Sequence, residues 1–490
     1  MHLGEMLEKS VKKYADRVAL IYNEKKITYR ELNASVNAVS NHLQRLGIKK
    51  GDQVALMLPN CPEFVISYFA VHKTGAAAVT LNVQSTAYEL KYLLSNSDSK
   101  VFITSGVTAH RYEEIRNDIP LCRHMLVTDE AGGAFQKAIS KGPFEFAMPD
   151  IHDDDPAVMI YTAGLTGKPL GAVLTHRNLT TTQATLVKDL YGGTEEYVAL
   201  AAIPLFHSFG TAVNLLGPIY AGAATVLMDR FTLDGIFQTI EREKVQFIAA
   251  VPRLYLGMIF LEGAEKYDTS SLDFCITGGS KMPPEFMPIF EEKIGCILRE
   301  GYGLTEASPV CSVIRPKKTP KLGSIGEAIP GVEMKIFDEN EQEVPYGTIG
   351  EVVVRGENIM KGYYRNPEAS AKVIRNGWLH TSDLGYMDED HYIFLTGRTK
   401  RMIITSGFNV YPQEIENVLM MHPGVKSCRV VAKPDLIRGE LVKAVLVKNP
   451  GAQLDERDIM KHCRTYLSSY KHPREVQFVD TIDALPSETM

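Results

Sequence analysis

The chain has 490 residues, 45% of them hydrophobic and 23% charged, with a formal net charge of −6. A chain this long exceeds one hydrophobic core and implies roughly two to four structural units. The charge offers no field for a nucleic-acid backbone, and the seven scattered cysteines form no C-x-x-C pair, so they read as reduced core residues of a cytoplasmic protein.

The first residues, Met1 to Glu5, lack the basic head and apolar run of a signal peptide. Beyond them the chain alternates strands and helices. A helix is expected over 30–46, a strand over 53–58, a helix over 61–74, and strands over 76–81 and 100–104. The stretch 131–155 is rich in Gly, Pro and Asp and reads as a surface loop. The longest uncharged run, 210–228, is broken by Gly217-Pro218 and Gly222, so it reads as a buried helix–turn–strand and not as a membrane span. Four short strands, near 225–228, 247–250, 274–277 and 296–299, precede turn residues; a parallel sheet would line those turns along one edge. From about 330 the pattern becomes antiparallel, and after 398 it becomes a separate α+β module.

The stretch Tyr161 to His176, Y-T-A-G-L-T-G-K-P-L-G-A-V-L-T-H, stands out. It follows a strand-like segment, is rich in glycine and hydroxyl groups, and precedes a helical pattern with Thr175 as N-cap. Backbone N–H groups in such a loop, helped by a helix N-terminus, suit a phosphate. It is not a Walker A loop, because Gly164 stands only three residues before Gly167-Lys168.

Four motifs in order now carry a resemblance. The loop matches Y-T-S-G-T-T-G-x-P-K-G. Tyr302-Gly303-Leu304-Thr305-Glu306 matches Y-G-x-T-E, and Thr381-Ser382-Asp383 matches a third element. The run from Gly397 through Gly407, Asn409, Val410 and Pro412 to Glu414-Ile415-Glu416 matches G-R-x-K-x-x-I-x-x-x-G-x-N-V-x-P-x-E-I-E. The chain thus resembles the adenylate-forming superfamily, and within it the AMP-forming acyl-CoA synthetases. The resemblance implies ATP, Mg²⁺ and coenzyme A, a small carboxylic acid (fatty, alicyclic or aromatic), no nucleic-acid partner and no integral membrane span; a homodimer stays open. It implies an α/β fold: a large N-terminal domain, 1–397, of layered α/β subdomains with a small β-barrel-like unit near 330–397. A smaller mobile α+β domain, 398–490, would follow, with a hinge near Lys400.

Residue by residue, the resemblance implies that Glu306 holds Mg²⁺ and that Thr305 and Arg398 meet the phosphate or ribose. Asp383 would accept the ribose hydroxyls. Thr162, Gly164, Thr166, Gly167 and Lys168 would cradle the outer phosphates, while Gly279, Ser280, Glu300, Gly301, Tyr302 and Gly303 would flank adenine. His207, Val251 and Gly278 would shape the acyl pocket, with His207 as its gate. Lys400, Ser406 and Gly407 would serve the hinge and the pantetheine tunnel.

The chain also departs from the pattern. Ala163, Leu165 and Leu170 stand where the family has Ser, Thr and Lys. The family's catalytic Gly-Lys pair lies several residues beyond a Leu-Pro, and Leu485-Pro486 is followed by Met490 before any such pair, so the C-terminal domain reads as truncated. Two further readings therefore stand beside acid–CoA ligation. One is a degenerate relative that binds an acyl-adenylate, acyl-CoA or nucleotide without efficient adenylation. The other is acyl transfer to a carrier protein.

Overall fold

The computed structural model describes residues 1–163, 168–189, 195–315, 318–399 and 401–482. Two large sheets form the body. In the seven-stranded sheet, Pro156–Ala163, Ala77–Thr80, Gln53–Met57, Ser99–Thr104 and His124–Val127 run parallel in that spatial order. In the nine-stranded sheet the parallel core is Ile297–Gly303, Phe274–Thr277, Phe247–Ala250, Val198–Ala201, Ala224–Leu227 and Val18–Tyr22. These inner strands are short and almost wholly apolar because helices cover both faces. Phe247-Ile248-Ala249-Ala250, for instance, is buried at every position.

Local signals set the helix ends. Thr28 and Glu31 form a reciprocal capping box for helix Tyr29–Arg45, and Gly47 follows at φ +86°. The hydroxyl of Tyr29, fully buried, donates to the Ala223 carbonyl at 2.7 Å and so fastens this helix to the nine-stranded sheet.

An antiparallel unit follows. Strands Val332–Phe337, Gly350–Gly356 and Trp378–Met387 lie side by side, and Ile393–Arg398 pairs with Trp378–Met387. The last sheet belongs to the C-terminal module. It joins Phe408–Val410, Ile403–Thr405, Gly439–Lys448 and Val425–Asp435, with Glu475–Phe478 beside Gly439–Lys448. Helices Pro412–Met420 and Glu456–Tyr466 complete that module around their own core of Ile403, Ile415, Leu446 and Ile459.

Two expectations need correction. The stretch 131–155 is not all loop: Ala134–Lys141 is a helix, and its Phe135 and Ala138 are buried. An eight-residue helix with so few apolar positions gives a weak periodic signal. The helix after the glycine-rich loop starts at its expected cap, Thr175, but the stretch before that cap is not all loop. Strand Pro169–Thr175 intervenes and pairs antiparallel with Pro156–Ala163, so the loop closes a hairpin. Thr175 does cap the helix His176–Asp189, accepting from Asn178 N at 3.2 Å while its own N–H meets Asn178 Oδ1 at 2.7 Å. The helix end therefore lies a whole strand from the loop. Any phosphate binding there rests on the loop alone.

The described cysteines are all free, and among the described residues no helix is long and apolar enough to cross a membrane.

Removing the Tyr29 hydroxyl should strand a buried carbonyl. We expect Tyr29→Phe to cost about 1–2 kcal/mol, read as a lower denaturant midpoint at unchanged m-value.

Candidate functional site

All four sheets meet at a cavity of about 820 Å³, lined among others by Leu170, Gly278, Glu300, Asp383 and Gly407. The parallel strands of the nine-stranded sheet end there, so the turns after them supply much of its wall. Val251 follows strand Phe247–Ala250, Gly278-Gly279-Ser280 follows Phe274–Thr277, and Glu300 to Gly303 form the end of Ile297–Gly303.

Backbone crowding fixes one residue type here. A Cβ on Gly303 would lie 1.8 Å from the Pro309 carbonyl oxygen, which also accepts from Leu304 N at 2.9 Å. Only glycine lets the chain turn so tightly before Thr305–Ala307, the short 3₁₀ turn that carries Glu306.

Two carboxylates organise the polar part. Oε1 of Glu306 accepts from Thr162 Oγ1 and from Tyr363 Oη, both at 2.9 Å. Oδ2 of Asp383 accepts from Tyr302 Oη and Oδ1 accepts from Arg398 Nε, each at 2.6 Å. The hydroxyl of Thr305 lies 3.2 Å from that of Ser208. Thus Thr162 is brought to Glu306, and Tyr302 and Arg398 to Asp383, across long stretches of sequence.

Glu300 differs. It is buried, its Oε1 accepts from Met282 N at 3.2 Å, and its Oε2 has no protein partner among the described residues. Burial pushes its carboxyl up to about 7, against the weaker opposing effects of that amide and Lys281. An orphaned oxygen in a cavity wall is a vacancy for a ligand donor.

His207 caps the helical segment that begins at Ser208. Its Nδ1 accepts from Phe209 N at 3.2 Å, and burial pushes the imidazole down to about 4. It is therefore neutral at pH 7, and its proton sits on Nε2, the nitrogen left to donate. His207, Val251 and Gly278 all line the cavity, beside Leu186, Phe209, Val213, Ile276 and Val310.

The C-terminal module reaches the same space. Ser406 Oγ accepts from Arg253 Nη1 at 3.3 Å, and a Cβ on Gly407 would lie 2.4 Å from Val251 Cγ1. Gly407 also has φ +82°, so both its neighbour and its backbone require glycine. Lys168 is exposed and is not part of the cavity wall. Gly164, Thr166, Gly167 and Lys400, with Leu165 and the tail from 483, lie outside the described residues.

Sequence reasoning missed Tyr363, Tyr411 and Arg253. Tyr363 holds Glu306 from the far end of the seven-stranded sheet, as a lone tyrosine with no spacing signal. Tyr411 lines the cavity from a variable slot of the fourth motif, just before Pro412. Arg253 belongs to none of the four motifs, and its partner Ser406 comes 153 residues later.

Glu300 predicts a pH effect. A carboxyl ordinarily near 4.3 and raised when folded gives stability that is whole below that value and lost as pH rises through about 7. Glu300→Gln removes the loss. Urea midpoints taken from about pH 4 to pH 8 should show the variant gaining on the parent by an amount on the order of 3 kcal/mol. A constant gap would contradict the assignment.

Comparison with known proteins agrees with this geometry. The family described as AMP-binding enzyme matches residues 7–364, and the AMP-binding enzyme C-terminal domain matches residues 414–488. A long-chain-fatty-acid–CoA ligase of Bacillus subtilis (strain 168) is 33% identical, over 97% of this chain and 90% of its own length. The anthranilate CoA ligase AuaEII in complex with anthranoyl-AMP is 30% identical with a TM-score of 0.79, over 98% of this chain and 94% of its own. A double mutant of o-succinylbenzoate CoA synthetase (MenE) from Bacillus subtilis, bound to its product analogue OSB-NCoA, is 27% identical with a TM-score of 0.88, over 99% and 96%. The chain belongs to the AMP-binding enzyme family and, within it, to the acyl-CoA synthetases, which join a carboxylic acid to coenzyme A by way of an acyl-adenylate.

Proposed function

We propose that the 820 Å³ cavity is the site of both half-reactions, and that the acid it takes is uncharged beyond its carboxylate: fatty, alicyclic or aromatic. The observation that carries this is the mixed lining of the cavity wall, in which Glu300, Glu306, Asp383 and Arg398 supply charge while Leu186, Phe209, Val213, Ile276, Val310 and Val313 supply apolar surface. ATP suits the first and an acyl chain or ring the second.

Roles follow from the hydrogen bonds already described. Asp383 keeps lone pairs beyond those used by Tyr302 and Arg398, enough for two ribose hydroxyls. Tyr302 then acts as a clamp on Asp383, in addition to any stacking on adenine. The orphan oxygen of Glu300 suits the adenine amino group. Thr305, with Ser208 beside it, suits the α-phosphate as a hydroxyl donor. The carboxylate of Glu306 fits a magnesium ion that shares its remaining ligands with phosphate and water. Among the described residues no group of three or more His, Cys, Asp or Glu side chains could cage a metal, and Mg²⁺ ordinarily takes one or two carboxylates. Such an ion would neutralise the charge that builds on the phosphates.

In the first step the acid's carboxylate attacks the α-phosphorus and pyrophosphate leaves. In the second, the thiolate of coenzyme A attacks the adenylate carbonyl; the C–S bond forms, the C–O bond breaks and AMP leaves. Neutral His207, with its Nε2 proton available, can steady the carbonyl oxygen during that attack. Gly407 against Val251 supports reading the present arrangement as the thioester-forming one. Arg438 is near enough to Arg253 to depress its already burial-lowered pKa, and Arg474 adds to this. Such crowded guanidinium groups suit the phosphates of coenzyme A.

ATP–pyrophosphate exchange across a panel of carboxylic acids tests the first step, and acyl-CoA analysis tests the second. Exchange with no acid, alongside thioester formation from a supplied acyl-adenylate, would leave the degenerate-relative reading in its place. Gly407→Leu should leave exchange close to the parent and slow thioester formation roughly 10²-fold or more. Equal loss of both steps would sink the tunnel role.

A further inference from the structure

The C-terminal module touches the body at a second place, far in sequence from Gly407. Helix Ala87–Asn96 begins with a capping box in which Thr86 N donates to Glu89 Oε2 at 2.8 Å and Glu89 N donates to Thr86 Oγ1 at 3.3 Å. The Glu89 carboxylate is thereby fixed on the body before any partner arrives. Lys471 of the module donates to its Oε1 at 2.7 Å, and Ser468 donates to its Oε2 at 2.6 Å. Lys471 also donates to Glu414, its partner within the module, at 2.6 Å. Glu89, Glu414 and Lys471 are all 9% exposed or less. Around them Thr86 Oγ1 donates to the Tyr466 carbonyl at 3.2 Å, Ser469 Oγ donates to Gln84 Oε1 at 2.8 Å, and Tyr88 meets Tyr466 edge to face.

This contact is joined to the cavity by a short path. Tyr470, next to Lys471, stacks on Phe408 with ring centroids 4.7 Å apart. Phe408 is next to Gly407, and Gly407 abuts Val251 in the cavity wall. A shift of Lys471 therefore moves the loop that closes the cavity.

We infer that Glu89 is a positioning residue for thioester formation: it captures Lys471 and so seats Gly407 over the cavity, and the pair parts when the module leaves for adenylation. The physical case is one of pairing. Without Glu89, Lys471 keeps Glu414, a neutral pair inside the module that needs nothing from the body. With Glu89, the buried lysine gains a second carboxylate that only this arrangement supplies. Burial lowers the affinity of Lys471 for its proton and the two carboxylates more than reverse that, while burial raises Glu89 and Lys471 more than reverses it. Both ends of the contact are thus charged when docked. Loss of Glu89 leaves Lys471 its pair within the module and removes the charge that holds the module to the body.

The inference rests on the acid–CoA ligase reading, so the test measures the half-reactions apart. The full chain is given dodecanoyl-AMP or benzoyl-AMP with coenzyme A, and acyl-CoA release is followed in single turnover. Pyrophosphate exchange with the matching acids is followed separately. Glu89→Gln keeps the capping acceptor, since Gln serves a capping box as Glu does, and removes the charge. Expected is a fall in the single-turnover rate of roughly 10- to 100-fold, as befits a misplaced loop, with exchange and thermal midpoint near the parent. Glu89→Asp should recover part of the rate. In a Lys471→Met background, Glu89→Gln should add little, because the two act through one contact. Equal loss in both half-reactions, no loss in either, or full additivity with Lys471→Met overturns the positioning role alone. Failure of the parent protein to release acyl-CoA from either adenylate overturns the ligase reading and this inference with it.

Discussion

One buried carboxylate, Asp383, holds the site together. Its two oxygens are each occupied at 2.6 Å, one by Tyr302 from the nine-stranded sheet and one by Arg398 at the last strand before the C-terminal module. The nine-stranded sheet and the antiparallel unit thus meet on one side chain that is only 8% exposed. Its cost in burial is offset by a charged partner and a short hydroxyl bond. Because Arg398 immediately precedes the module, the cavity wall around Asp383 and the start of the module share this anchor.

The module's docking follows a different logic. At the cavity it depends on shape: Gly407 fits against Val251 only because it has no side chain. At its far side it depends on charge, through Lys471 between Glu414 and Glu89. Shape and charge fail differently, since a bulky residue blocks the fit while a lost charge removes an attraction. Thr86, Ser468 and Ser469 give the contact polar surroundings.

The altered phosphate loop reads differently in three dimensions. Leu170, where the family has Lys, lines the cavity from a strand of the hairpin and adds apolar wall where charge was expected. The helix His176–Asp189, expected to lend its positive end, begins beyond that strand. What survives near the cavity is the hydroxyl of Thr162, already given to Glu306.

The sequence alone determined most of the architecture. Runs such as Phe247 to Ala250 are apolar at every position, which only a strand covered on both faces tolerates, and the capping and glycine signals set helix ends within a residue or two. Spaced motifs also brought out the residues of the polar cavity wall, since Tyr302, Glu306, Asp383 and Arg398 sit in patterns that composition would not produce. Tertiary structure alone decided how those residues meet. That Tyr302 bonds Asp383, that Tyr363 bonds Glu306, and that Glu89 finds Lys471 382 residues away depends on crossovers between sheets and the docking of a separate module. Periodicity and spacing report the neighbours a residue has along the chain. Hydrogen bonds across domains depend on distances through space, which no local pattern encodes.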